Sequence, residues 1–305
     1  MTTDARQPLH TDEVLDFHRT LSNWGRWGAQ DQLGALNFIT PEVTTAAAAT
    51  VQSGRTISCA RPLNTIPAVD NTAPVTHLMI GTATEGWGAD YFAIASHGYA
   101  TSHLDALCHV FHDGRLYNGY PIESVTAHGA TQLGIHHLAS GIVSRGVLID
   151  IPRLRGVDAL APGEPIFVDE LEAAEAATGV RVRSGDVLFV RTGRWDWRAM
   201  HGPWDIGDGL AGLDAACLPW LHQREVAALG SDGVSDVLPS RVEGVHMPVH
   251  ETALVAMGLH LLDNLDFDAL AAACAEEQRW EFLLTIAPLI LKRGTASPVN
   301  PIAVF

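Results

Sequence analysis

Hydrophobic positions in the second half of the chain fall into two kinds of block. Short, continuous apolar runs at 146–151, 185–193 and 225–233 are typical of buried strands. Between them, "VDELEAAEAATG" indicates a helix, with Asp169 and Glu172 spaced as a capping box and Gly179 as its stop. This alternation predicts strands and helices that follow one another along the chain.

The remaining segments extend the same pattern. Pro41 begins a predicted helix that ends at Gly54, and "FDALAAACAEE" is a second helix capped by Asp266. Predicted strands are "VTHLMIGTAT", "DYFAIASHG" and "EFLLTIAPLIL", and the apolar tail "RGTASPVNPIAVF" is expected to be packed. We predict an α/β (mixed α+β) fold with one domain, 41–305, whose buried sheet is flanked by helices and on which a lead-in segment, 1–40, packs.

Composition narrows the possible partners. The 305 residues include 19 basic and 35 acidic side chains, a net charge of −16 that excludes nucleic acid and an anionic membrane as partners. The four cysteines are far apart and form no CxxC pair, which argues against disulfides and a thiolate zinc site. The polar N-terminus and the absence of a long apolar run predict a cytoplasmic protein.

One stretch, "HGYATSHLDALCH" (97–109), concentrates the candidate chemistry. In extended chain His103 and Asp105 share a face, and in a helix Asp105 and His109 share one, so a strand that turns into a helix near Asp105 would direct all three to one point. Imidazole and carboxylate ligands suit zinc, manganese or iron, and His97 could supply a further nitrogen. Alternatively, the histidines are hydrogen-bonded core residues and Asp105 caps a helix "ALCHVF".

The stretch "HGYATSHLDALCHVFHDGRLYNG" resembles the signature of the cyclase family of metal-dependent hydrolases, which includes kynurenine formamidase and isatin hydrolase. The segments "NWGRWGAQDQLGALNFITPE" and "GTASPVNPIAVF" resemble the longer members. In the family pattern His-x-Gly-Thr-His-x-Asp-x-Pro-x-His, the second histidine, the aspartate and the last histidine fall on His103, Asp105 and His109. The first histidine falls on Tyr99, and His97 stands two residues earlier.

The resemblance implies a swivelling β/β/α fold and one divalent ion, Mn²⁺ or Zn²⁺, with a second ion as an alternative. Its implied ligands are His97, His103 and Asp105, and the implied acid and base groups are His109 and His250. Asp263 stands near the place of a family glutamate, and its shorter side chain favours a single ion. The other residues that we expect around the site or against the substrate are Asp232, Trp24 and Trp27, whereas His246 is ambiguous and His112, His136 and His137 are expected to be structural.

Together with the clustered signature, the resemblance implies a metal-dependent hydrolase that cleaves the C–N bond of a formamide, a cyclic amide or a related carbonyl compound, aromatic compounds being favoured. Lactone opening, dehydration or ring closure is the alternative chemistry, and metal-dependent binding without turnover is the alternative class. No GxSxG or GxGxxG motif supports an acyl-enzyme or a nucleotide cofactor. The family and the packed tail also predict a homo-oligomer, a dimer or a tetramer.

Overall fold

A computed structural model describes residues 7–305 of the chain. Within this range the strands are β1 (Thr56–Ser58), β2 (Thr76–Gly81), β3 (Ala89–Ala93), β4 (His103–Asp105), β5 (Val125–Thr126), β6 (Gly129–Ala130), β7 (Ile142–Asp150), β8 (Pro165–Ile166), β9 (Val187–Arg191), β10 (Gly212–Leu213), β11 (Ala228–Ser231), β12 (His260–Asp263), β13 (Glu281–Ile286), β14 (Ala296–Pro298) and β15 (Ile302–Val304). The α-helices are α1 (Thr11–Thr20), α2 (Pro41–Ala48), α3 (Ile151–Arg155), α4 (Val168–Thr178), α5 (Arg194–His201), α6 (Leu218–Gln223), α7 (Pro248–Glu251) and α8 (Asp268–Glu277). A π-helical turn, Thr252–Met257, continues α7.

A nine-stranded mixed sheet organises the fold, in the order β1-β15-β13-β7-β9-β11-β12-β4-β14. Strands β7, β9, β11 and β12 run parallel, and the pairs on either side of this group are antiparallel. Every residue of β9 and β11 is buried, as expected for parallel strands covered on both faces. The predicted mixed α/β fold with a buried sheet flanked by helices is therefore confirmed.

The strand that carries the histidine–aspartate signature, β4, lies near one edge of this sheet. It pairs with β12 on one side, where His103 is opposite Asp263, and with β14 on the other. The apolar tail is thus part of the sheet, and Phe305 beyond it is fully buried. The pairing of β4 with β12 places a candidate carboxylate beside a candidate histidine ligand.

Helix boundaries differ in part from the predictions. Helix α4 ends at Gly179 as predicted, where φ is 73°. It begins at Val168, however, and the Glu170 carboxylate accepts the Phe167 N–H, so the predicted capping box of Asp169 and Glu172 is wrong. Only the glutamate half of a capping box therefore forms, two residues earlier than the acidic pattern indicated.

Two other predicted helices are shorter or absent. Helix α2 ends at Ala48 rather than Gly54. No helix follows Asp105, because the Ala106 N–H donates to the Thr295 carbonyl and the next residues form a turn that the His109 N–H closes on Ala106. His109 therefore reaches the site from a turn and not from the helix face that its spacing predicted.

The start of α8 and the end of β13 also differ from the predicted boundaries. The N-cap of α8 is Phe267, one residue beyond the predicted cap, although the Asp266 carboxylate still accepts the Asp268 N–H. Strand β13 ends at Ile286, and the apolar residues 289–291 that follow are exposed.

The predicted strands around 76–93 form an antiparallel hairpin, β2–β3, outside the central sheet. Its large apolar side chains are more than half exposed: Leu78, Met79, Ile80, Tyr91 and Phe92. Their apolar character predicted strands but not the sheet to which those strands belong.

The N-terminal lead-in packs on the domain through its first helix and the turn that follows. Val14 of α1 is buried, and the Trp24 indole N–H donates to the Val255 carbonyl at 2.7 Å. Residues 1–6 of the predicted lead-in lie outside the described residues. No helix within the described range is long and apolar enough to cross a membrane.

Candidate metal centre

Strand β4 holds the first two ligand candidates. His103 and Asp105 alternate with the buried Leu104, so both side chains leave the same face of the strand. The His103 Nδ1–H donates to the Thr101 carbonyl at 2.8 Å, which fixes the ring with Nε2 3.4 Å from Asp105 Oδ1. A histidine whose Nδ1 is bound in this way presents the Nε2 lone pair to a metal ion.

His97 completes this group although it stands two residues before the family's position. Its Nδ1 lies 3.0 Å from Asp105 Oδ1, and its Nε2 lies 3.0 Å from the Thr295 hydroxyl. Tyr99, at the family's position, instead has its carbonyl bound by Arg194. The structure therefore places His97, and not Tyr99, among the ligand candidates.

A buried polar clamp shapes the loop between His97 and His103. The Asn264 amide donates to the Gly98 carbonyl at 2.8 Å and to the Thr101 carbonyl at 3.2 Å. The buried Arg194 guanidinium donates to the Asn264 side-chain oxygen and to the Tyr99 carbonyl. Asn264 holds this position with φ of 55°, a left-handed conformation that asparagine tolerates better than most residues.

A second group shares Asp105. His250 Nε2 lies 3.2 Å from Asp263 Oδ2 and 3.8 Å from Asp105 Oδ2. On its other side, His250 Nδ1 lies 2.7 Å from Asp236 Oδ2, and the same carboxylate accepts the backbone N–H groups of Val249 and His250. Asp236 thus fixes both the start of α7 and the orientation of the His250 ring.

His109 lies over the first group. Its ring stacks on that of His97, with centroids 3.7 Å apart and an angle of 11° between the planes. Burial lowers the pKa of His109 to about 4, despite the opposing effect of Asp105. His109 is therefore neutral at pH 7, so its imidazole can accept a proton but does not act as an acid.

The pKa values of Asp105, His103 and His250 shift in the opposite sense, toward the charged form of each group. Burial opposes the ionisation of Asp105, but the neighbouring His103 holds the pKa of its carboxyl well below the usual value. Burial would also lower the pKa of His103, yet Asp105 raises it to about 9. For His250, Asp263 and Asp236 outweigh burial and raise the pKa well above its usual value. The site therefore favours the ionised carboxylate of Asp105 with a positive charge beside it.

Several buried polar atoms at this point make no hydrogen bond of good geometry, even though His97 Nδ1 lies 3.0 Å from Asp105 Oδ1: His97 Nδ1, Asp105 Oδ1, Asp105 Oδ2 and Asp263 Oδ1. Leaving one such atom unsatisfied costs about 1–3 kcal/mol, and more when it is charged. The atoms belong to two sets whose ligand atoms lie within 4.8 Å of one another, His97–His103–Asp105 and Asp105–His250–Asp263. Imidazole and carboxylate donors so arranged fit a divalent ion such as Zn²⁺ or Mn²⁺.

Two adjoining cavities open on this centre. One of about 310 Å³ is lined by members of both ligand groups other than Asp105, by His109 and by Val234 and Met247. Another of about 460 Å³ has a mixed lining, in which apolar side chains such as Val69, Ala95 and Ile206 lie beside Asp70, Asn71 and Asp205. His97, Gly98, Tyr99 and His246 border both cavities.

The remaining predicted residues lie elsewhere. The buried Asp232 carboxylate accepts the N–H groups of Thr192, Gly193 and Arg194, so it fixes the start of α5 and the position of Arg194. Trp24 binds the π-helical turn, and Trp27 packs edge-on against Phe38. None of the three borders either cavity.

Sequence reasoning missed Asp236, Asn264 and Arg194. Asp236 follows Asp232 by four residues in "SDGVSD", and the sequence offers no sign of which aspartate meets His250. Asn264 directly follows a predicted site residue, which is the only signal it carries.

The protein thus has a mixed α/β architecture with a candidate metal-binding centre at one edge of its sheet. Residues 25–236 match the Cyclase family model, and the chain belongs to this family. It is similar to a crystal structure described as a novel cyclase, with 32% identity, coverage of 94% of this chain and 99% of that one, and a TM-score of 0.86.

Two isatin hydrolases show the same fold at lower identity. One, solved with the product analogue thioisatinate, is 19% identical over 87% of this chain and 98% of its own, with a TM-score of 0.60. Isatin hydrolase A from Ralstonia solanacearum is 21% identical over 88% of this chain and 99% of its own, with a TM-score of 0.59. Among curated proteins, none matches the sequence. Hydrolases are thus among the solved structures that share the fold of this chain.

Proposed function

We propose that the protein is a metal-dependent hydrolase that cleaves the C–N bond of a cyclic amide or a formamide, with an aromatic substrate. The observation that carries the proposal is the set of buried, unpartnered ligand atoms around Asp105 beside a cavity. A divalent ion bound there supplies a water molecule of lowered pKa and polarises a carbonyl group.

The residues of the first group hold the ion in this proposal. His97, His103 and Asp105 provide two nitrogens and one oxygen, and Mn²⁺ or Zn²⁺ suits these donors. We keep a single ion, since His250 Nε2 is hydrogen-bonded to Asp263 and its Nδ1 to Asp236. A second ion at Asp105, His250 and Asp263 is the alternative loading of the same centre.

His109 and His250 divide the proton transfers. His109 borders the cavity and is neutral at pH 7, so it accepts a proton from the attacking water. His250 keeps a proton between two carboxylates and borders the same cavity, so it protonates the leaving nitrogen. These opposite protonation states allow the two histidines to act as base and acid at one pH.

The larger cavity supports an apolar substrate body. Its volume of about 460 Å³ lies in the range of small-molecule sites, and its lining includes Val69, Ala73, Ala95 and Ile206. Since it borders the candidate metal centre at His97 and Tyr99, a flat ring can lie there while its carbonyl group points into the smaller cavity, which His97 and His103 line.

A substrate panel with metal analysis tests the proposal. The purified protein is assayed with N-formyl aromatic amines, cyclic aromatic amides and aromatic lactones, and formate, ring-opened acid and water loss are measured. His103→Ala and Asp105→Ala should each lose bound metal and at least about 100-fold in kcat/KM, whereas His128→Ala, an exposed histidine in a turn, should retain both. Variants of His103 and Asp105 that fold, bind metal and turn over normally would refute the proposal.

The predicted homo-oligomer remains a proposal, and sedimentation of the purified chain tests it. The substrate panel described above also tests which class of small molecule the protein acts on.

A further inference from the structure

A second histidine–carboxylate cluster lies beside the candidate metal centre but uses none of its residues. It consists of His18 on α1, His112 in the loop after β4, and Glu251 at the end of α7. Their side chains are 12%, 18% and 26% exposed, so all three are largely shielded from solvent. Three separate parts of the chain therefore converge on one partly buried point.

Each of the three side chains offers one ligand atom, and these atoms lie within 4.8 Å of one another. The His18 and His112 rings stack with centroids 3.5 Å apart and only 4° between their planes. Glu251 Oε1 lies 3.5 Å from His18 Nε2 and is hydrogen-bonded to His112 Nδ1. Ligand atoms about 2.0–2.2 Å from a tetrahedral ion are themselves ~3.3–3.6 Å apart, which the His18–Glu251 distance already matches.

We propose that His18, His112 and Glu251 form a separate site for a divalent cation of the zinc class. Two imidazole nitrogens and one carboxylate oxygen suit such an ion, and three protein ligands leave one position for water. To bind the ion, Glu251 separates from His112 Nδ1 and the two stacked rings turn so that both nitrogens face it.

The position of the site suggests what the ion does. Helix α1 packs against the π-helical turn Thr252–Met257, which directly follows Glu251. Glu251 also borders the cavity that His250 and Asp263 line. An ion at this point joins the N-terminal lead-in to α7, the helix that carries His250 and Glu251, so it stabilises the attachment of α1.

Metal counting on separated variants tests the proposal without any substrate. Protein stripped with a chelator is reloaded with Co²⁺ or Zn²⁺, passed through a desalting column and analysed for bound metal. In the otherwise wild-type chain, His18→Gln should lower the number of bound metal ions per chain by one. In a chain that already carries Asp105→Ala, His18→Gln should also lower this number by one. His77→Gln should change nothing, because His77 pairs with Asp90 at an exposed position on the β2–β3 hairpin.

A spectroscopic readout guards against poor folding of the Asp105→Ala variant. In the otherwise unchanged chain, His112→Gln should remove the same part of the Co²⁺ absorption as His18→Gln, and both should lose part of the Zn²⁺-dependent rise in Tm. An unchanged metal count in His18→Gln and His112→Gln overturns the proposal and leaves a histidine stack held by Glu251 alone. A failure of the proposed hydrolase centre is separate, since it would appear in Asp105→Ala and His103→Ala instead.

Discussion

Asp236 offers the sharpest test of how the site is oriented. Its carboxylate accepts three donors: the Val249 N–H at Oδ1, and the His250 N–H and His250 Nδ1–H at Oδ2. Asp236→Asn keeps the shape but leaves only one acceptor oxygen. With that oxygen at the Oδ2 position, two bonds survive and the Val249 N–H faces an amide NH₂ group.

The magnitude follows from these three bonds. One orphaned, buried N–H costs about 1–3 kcal/mol, and two charge-assisted bonds that become neutral lose roughly 1 kcal/mol each. We therefore expect about 3–5 kcal/mol less stability in urea unfolding. Loss of the carboxylate charge also lowers the His250 pKa, and removing such an orienting partner costs about 10–100-fold in activity.

Three measurements decide the outcome: urea unfolding, a ¹⁵N-imidazole NMR titration of His250, and kcat/KM on the best substrate of the panel. The control is Asp214→Asn, a buried aspartate that accepts the Ala216 N–H and pairs with Arg241 away from the cavities. It should lose stability but keep kcat/KM and the His250 titration. An Asp236→Asn variant with a wild-type His250 pKa and wild-type activity would show that Asp236 does not orient the ring.

Three further predictions test the clamp, the proton balance and the core. Asn264→Gly keeps the left-handed backbone but removes the hydrogen bonds to the Gly98 and Thr101 carbonyls. Metal affinity, measured by chelator competition, should therefore fall about 10–100-fold. Unchanged affinity would contradict a role for the clamp in placing His97. Because the pKa of His103 is raised to about 9, the metal-free site holds a proton below that pH. Metal affinity should therefore rise with pH from 6.5 to 9, and calorimetry in two buffers should show about one proton released per ion. A pH-independent affinity would refute this. Arg145→Ala leaves the buried Asp186 without its ion-pair partner and should cost about 3–5 kcal/mol in urea unfolding with no change in metal content, whereas a loss below 1 kcal/mol would show that the pair is not a structural necessity.

The sequence predicted the site best where ligands are close along the chain. The spacing of His103 and Asp105 needs only an extended backbone to place them on one face, and β4 provides it. The approach of His109 was predicted from helical spacing, but a turn delivers it, because the Ala106 N–H is bound to Thr295 from a distant segment. Local spacing could not contain that information.

Residues that act through tertiary contacts were harder to predict. Asp232 and Asp236 have similar surroundings in the sequence, yet one caps α5 and the other holds His250. Trp24 and Trp27 also pack against the chain itself rather than the cavities, since the indole of Trp24 finds its acceptor in the π-helical turn. The fold class followed from the alternation of blocks, whereas the placement of the β2–β3 hairpin outside the sheet depends on contacts that no periodicity encodes.

The sequence separations within the centre have a kinetic consequence. His97 meets Thr295 across 198 residues, Ser102 meets Asn264 across 162, and the Asp105 carbonyl meets His260 across 155. Contacts between such distant residues must repay a large loop-closure entropy, so they form late and slowly during folding. We therefore expect the candidate ligand set to assemble after the contacts between neighbouring elements, so that substitutions far from it that slow this step would reduce the fraction of chains with a completed site.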